Sequence, residues 1–158
     1  MRLRASPPPD PSTITVHRLM VASEGRPFAR PVLVRAMELA RPARAEIFVM
    51  TIARVYGTSL GFPNPWLQPM KREWEEQRQN ARRAVDTFQK AGFESSALVF
   101  STRRPRKRFL AEARARGTDA IVMGCDQDRG ILGDFAWSHE PYRVARHAGI
   151  PVYLVPVK

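Results

Sequence analysis

Five short apolar runs, separated by amphipathic or polar stretches, set the rhythm of this chain. Val16, Leu19 and Val21 in VHRLMVAS predict a first strand that begins near Thr15 and ends near Ser23-Glu24-Gly25. Glu46 to Ala53 reads EIFVMTIA, whose β-branched and aromatic residues suit a buried second strand. Ser96 to Ser101 predicts a third. The continuous run Ala120-Ile121-Val122-Met123 fits a fourth strand covered on both faces, as in a parallel sheet. Val152 to Val157 supplies the fifth.

Helical spacing fills the intervals. Pro31 to Arg41 predicts a helix: proline is tolerated in a first turn, where its missing N–H would be unpaired anyway, and Pro42 marks the stop. Leu33, Met37 and Ala40 are expected to face the sheet. A long helix over Lys71 to Ala91 carries Trp74, Ala81, Ala84, Val85 and Phe88 on one stripe, with Gly92 placed as its C-cap. TRRPRKRFLAEARARG, residues 102–117, predicts a shorter helix, and Tyr142 to His147 another. Gly124 is read as closing the fourth strand with a sharp turn at its carboxyl end, where open α/β sheets bind ligands.

Two stretches lack periodicity. Met1 to Thr13 holds four prolines and predicts a disordered tail, residues 1–14, ahead of one domain spanning 15–158. Tyr56 to Met70, YGTSLGFPNPWLQPM, predicts a loop. Its aromatic residues Tyr56, Phe62 and Trp66 either form a lid over the carboxyl edge of the sheet or pack against helices or a partner subunit.

Composition narrows the class. At 158 residues and 44% apolar, the chain fits one globular domain. No window is apolar for long enough to cross a bilayer. Arg2 and Arg4 are followed by Pro7-Pro8-Pro9, where a signal peptide would need its apolar core. Cys125 is the only cysteine, so no disulfide is expected within the chain, and the expectation is a cytoplasmic protein without a membrane partner.

The net charge of +11 favours anionic partners, nucleic acid among them. Arg103, Arg104, Arg106, Lys107 and Arg108 crowd the N-terminal end of the third helix, where cations oppose the helix dipole. They read either as a solvated basic face or as the seat of an anionic ligand.

The motif search is mostly negative. Ser23 to Phe28 reads SEGRPF, not the G-x-G-x-x-G of a dinucleotide site, and no Walker loop occurs. Phe100-Ser101-Thr102 offers no acidic phosphoacceptor, and neither HIGH-type nor SGGxDS-type loops are present. No motif for catalysis remains. His17, His139 and His147 have no ligand-like spacing with Cys125. Asp126-Gln127-Asp128 reads either as polar loop or as a contact for magnesium carried by a phosphate. Cys125 is either a reactive thiol at a site edge or inert.

The stretch TDAIVMG, a polar Gly-containing loop, a helix ending ARHA and then PVYLV resembles the C-terminal half of the universal stress protein family. The resemblance covers roughly residues 15 to 157. In that family the loop reads Gly, two residues, Gly, nine residues, Gly-Ser or Gly-Thr, and its amides cradle phosphates. Here those positions hold Gly124, Gln127 and Trp137-Ser138, so two of the three glycines are replaced by side chains that fill the cradle. Where the family's first strand ends VAxDGS, this chain has Glu24, Gly25 and Arg26.

The resemblance, with the alternation of elements, implies a Rossmann-like α/β three-layer sandwich: five mainly parallel strands in order 3-2-1-4-5. It implies nucleotide-facing positions at Ala22, Glu24 and Ile52 and, in the loop, at Gly124, Gln127, Gly130 and Ser138. It also implies a homodimer paired through Val152 to Val157 and a non-enzymatic, stress-associated role; the side chains at the two lost glycines make loss of ATP, and so no cofactor, the expectation. ATP with magnesium, retained and slowly hydrolysed, is the alternative.

Overall fold

The structure, a computed structural model, describes residues 14–53, 58–59, 62–63, 69, 71–126 and 140–157. Its strands are β1 (Arg18–Ser23), β2 (Glu46–Ile52), β3 (Thr58–Ser59), β4 (Phe62–Pro63), β5 (Ser95–Phe100), β6 (Ala120–Asp126) and β7 (Val152–Val157). Its helices are α1 (Arg30–Ala40), α2 (Lys71–Lys90), α3 (Pro105–Ala115) and α4 (Glu140–His147). The main sheet runs β5-β2-β1-β6-β7, and every neighbouring pair is parallel. That is the 3-2-1-4-5 order expected from the sequence. The two-residue strands β3 and β4 pair antiparallel in a sheet of their own.

Period-two alternation divides the core into two layers. Leu19 and Val21 of β1, Ile47 and Val49 of β2 and Val122 of β6 pack under α1 and α2. Met20, Ala22, Met50, Ile121 and Met123 point the other way, onto Phe109, Leu110 and Ala113 of α3 and Val144 of α4. Because β1, β2 and β6 are covered on both sides, their sequences read as apolar runs rather than alternating ones. Phe100 meets Phe109 edge to face, with ring centroids 5.8 Å apart, and so ties the end of β5 to α3.

Three expectations need correction. The fully buried face of α1 is Val32, Ala36 and Ala40, with Leu33 and Met37 only partly buried beside it. Alanine at two contact positions lets the helix lie close to the sheet, which turns the larger side chains to the flanks. On α2, Gln77 and Asn80 are buried with Ala81, Ala84 and Phe88, whereas Trp74 and Val85 are only half-buried. Gly124 does not end its strand: β6 continues to Asp126, pairing Gly124, Cys125 and Asp126 with Val155, Pro156 and Val157. A Cβ on Gly124 would lie 3.3 Å from Cγ2 of Val32 and 3.6 Å from Cγ1 of Val157. Glycine there serves close packing rather than a turn. Gly92 does end α2 as expected, with φ of 89°.

Candidate functional site

In this topology the chain leaves β1 toward β2 on one side and leaves β6 toward β7 on the other. The crevice beyond the carboxyl ends of β1 and β6 is therefore the switch point at which open α/β sheets take ligands. The turn after β1 is fastened at both ends. The Ser23 hydroxyl accepts a hydrogen bond from the Arg26 amide at 3.0 Å and donates to the Arg26 carbonyl at 2.7 Å. From the far side, Gln77 of α2 donates its Nε2–H to the Gly25 carbonyl at 3.0 Å and accepts from the Thr51 hydroxyl at 2.9 Å. Gln77 is 1% exposed and Thr51 is fully buried, so this link is inside the protein.

A turn held this way directs Arg26 across the crevice. Its Nη1 lies 2.5 Å from Oδ1 of Asp126 at the end of β6, and its Nε lies 3.9 Å from Oε1 of Glu24. Hydrogen bonding to Asp126 raises the Arg26 pKa above its ordinary value, outweighing partial burial, which acts the other way. The guanidinium is thus already neutralised by protein carboxylates.

Behind this clasp, Ala22, Glu24, Phe28, Val32, Gly124 and Val157 help line a cavity of about 30 Å³. That is room for about one water molecule, against roughly 300 Å³ or more for an ordinary small-molecule site.

Of the positions implied by sequence, Ala22, Glu24 and Gly124 meet at this cavity. Ile52, 2% exposed, packs into the layer beneath α3 and α4 and does not line it. Gln127, Gly130, Ser138 and Trp137 lie outside the described residues, as do Asp128, Tyr56, Trp66 and the N-terminal tail to Thr13. Cys125 is buried in β6. Among the described residues no cluster of three or more His, Cys, Asp or Glu could hold a metal ion, and no helix is long and apolar enough to cross a membrane.

The bridge to Asp126 and the role of Gln77 were missed. A polar residue on the apolar stripe of α2 was the available signal for Gln77. For the bridge, it was Arg26 standing where the family pattern has serine.

A second concave region lies at the start of α3. Arg103, Arg104, Arg106 and Lys107 line a hollow of about 330 Å³ together with Glu140 and Arg143 of α4. Pro105 occupies the first helical position, no side chain caps that end, and the first turn has no acidic residue. Arg108 belongs elsewhere: its guanidinium lies 3.1 Å from Glu112 and 5.3 Å from the Phe100 ring centroid. The five-residue basic run thus separates into four hollow-lining cations and one held by its own helix. Arg143, which periodicity alone could not bring here, joins the four.

Comparison with known proteins agrees with this architecture. A profile of the Universal stress protein family matches residues 15–156. No curated protein matches the chain. Among solved structures, a universal stress protein family member from Burkholderia pseudomallei is 22% identical, with a TM-score of 0.64 over 89% of this chain and 97% of that one. The universal stress protein from Archaeoglobus fulgidus in complex with dAMP is 19% identical, with a TM-score of 0.64 over 90% of this chain and 99% of that one. A universal stress protein in complex with cAMP is 18% identical, with a TM-score of 0.65 over 90% and 98%. At these identities the structures establish a shared fold, and the profile, spanning nearly the whole described chain, establishes kinship. This chain belongs to the universal stress protein family.

Proposed function

We propose that this chain is a non-enzymatic regulatory member of its family whose nucleotide position has been rebuilt as an ion-pair clasp and no longer takes ATP. The reading rests on one observation above others: the 2.5 Å contact of Arg26 with Asp126 across the switch point. A phosphate entering there would have to displace a carboxylate from Arg26 while facing Glu24 and Asp126, two like charges. The exchange would leave Asp126 without its cation beside an incoming anion, and that like-charge contact opposes it. Gln127 and Trp137 at two family glycine positions add bulk in the same loop.

Thermal unfolding with and without Mg-ATP tests this. A ligand at a hundred times its dissociation constant adds about 2.7 kcal/mol, an easily read rise in melting temperature. No rise is expected here.

The competing reading is retained adenine-nucleotide binding, favoured by the relatives solved with dAMP and cAMP. Glu24, Gly124, Gln127, Gly130 and Ser138 would then line the site, with Asp126 and Asp128 near any magnesium the phosphates carry. A saturable rise with Mg-ATP selects this reading.

A homodimer through β7 belongs to the same proposal. β7 ends the sheet and is apolar. Beside it, Pro31, Val34 and residues 151–156 line an open groove of about 680 Å³, with Val34 40% exposed. Covering that edge by strand pairing would remove an aggregation hazard.

A further inference from the structure

We propose that a hollow at the amino edge of the sheet, at the opposite end from the β1/β6 crevice, binds a small zwitterion: a free amino acid that carries one ammonium and one carboxylate.

Arg18, Glu46, Phe48, Arg116 and Thr118 help line this hollow, whose volume is about 200 Å³. Arg18 opens β1 and Glu46 opens β2, and the two are partners in the parallel register, so their side chains leave the sheet on the same face. Opposite charges set side by side would ordinarily pair. Here they do not. Arg18 donates Nη1–H to the Arg116 carbonyl at 3.0 Å. Gly117, with φ of 60°, makes room for that reach, since a Cβ there would lie 3.2 Å from the same nitrogen. Arg116 is held as well: its Nε lies 3.4 Å from Glu112, and its guanidinium sits 3.4 Å from the Phe48 ring centroid.

The half-buried Glu46 carboxylate is left without an ion-pair or hydrogen-bond partner among the described residues. Thr118 is only 8% exposed, and its hydroxyl likewise has no partner among them. Buried polar groups are normally paired, so this hydroxyl and carboxylate in one concavity point to a guest that supplies the missing bonds. A plain anion would face Glu46, and a plain cation would face Arg18 and Arg116. A zwitterion meets both: its ammonium answers Glu46, and its carboxylate takes the Arg18 donors that the Arg116 carbonyl does not use. The volume lies below the roughly 300 Å³ of ordinary small-molecule sites, which limits the guest to a small side chain and excludes a nucleotide. The site is therefore independent of whether ATP binds in the crevice.

Calorimetric titration of the full chain with glycine, L-alanine and L-serine, and separately with acetate and methylammonium, tests the assignment at up to about 10 mM, enough to detect millimolar dissociation constants. Saturable one-to-one binding of at least one of the amino acids is expected, with acetate and methylammonium weaker by about tenfold or more. Glu46→Gln should weaken amino-acid binding by about tenfold or more, and Thr118→Val by about threefold or more. Arg26→Ala, at the other end of the sheet, should leave it unchanged. Should Glu46→Gln fail to fold, Thr118→Val carries the same comparison. No saturation with any of the amino acids, or binding indifferent to both substitutions, overturns the site. Acetate or methylammonium binding as tightly as the amino acids overturns the zwitterion in favour of a plain anion or a plain cation.

Discussion

Arg26 and Asp126 stand 100 residues apart in sequence, yet their side chains meet at 2.5 Å over the carboxyl ends of β1 and β6. Their side chains are 37% and 36% exposed, so water screens much of the attraction. Arg26→Ala should therefore cost under about 1 kcal/mol in chemical denaturation. The clasp is a matter of what occupies the crevice more than of what holds the fold. A loss of about 3 kcal/mol or more would instead mark a buried pair and a structural role.

The link from α2 into the crevice should matter more. Gln77→Leu removes the acceptor of the buried Thr51 hydroxyl and the donor to the Gly25 carbonyl. At about 1 to 3 kcal/mol for each of the two unsatisfied groups, the variant should lose roughly 2 to 6 kcal/mol. Adding Thr51→Val removes one orphaned group, so the double variant should recover about 1 kcal/mol relative to additivity. Strict additivity in denaturation would mean that the two side chains do not interact.

Glycine provides two contrasting tests. Gly124→Val drives branched carbon into Val32 and Val157 and should destabilise by about 1 to 3 kcal/mol through overpacking. Gly92→Ala meets nothing within 4 Å but keeps φ of 89°, so its cost of about 1 to 2 kcal/mol should come from the backbone alone. Further enlargement at residue 92 should then add little, whereas at residue 124 it should add steadily. Denaturant midpoints across Ala, Val and Leu at each position separate the two.

These residues also show how far the sequence could be read. Apolar runs such as Ala120 to Met123 are visible because a strand covered on both faces cannot afford polar positions, and from five such runs the sheet follows. Gly124 was visible as a glycine but not as a packing glycine, since Val32 and Val157 reach it only through the fold. Glu24 and Gly124, named through the resemblance, line one cavity at the switch point. That Arg26 would bridge Glu24 and Asp126 depends on a turn fixed by Ser23 and Gln77, which local pattern does not encode. Likewise Arg143 joins the hollow at α3 only because α3 and α4 pack side by side on one face of the sheet.

The β7 edge yields a prediction in solution. Light scattering on the purified chain should give twice the monomer mass. Val34→Glu, which adds an unpaired charge to the groove beside β7 that already holds the Arg35–Glu38 pair, should weaken dimerisation by about tenfold or more while leaving the melting of the monomer nearly unchanged. A monomer at all concentrations, or a dimer indifferent to this charge, would remove β7 and its groove from the interface.

Direct titration of Mg-ATP into the chain is the measurement closest to the central claim. With Arg26 engaged by Asp126 and Glu24 and a cavity of about 30 Å³ behind it, no saturable heat should be seen at millimolar nucleotide concentrations. One-to-one binding that Arg26→Ser strengthens would still place the site here but contradict its closure. One-to-one binding of micromolar affinity in the unaltered chain would contradict the account outright.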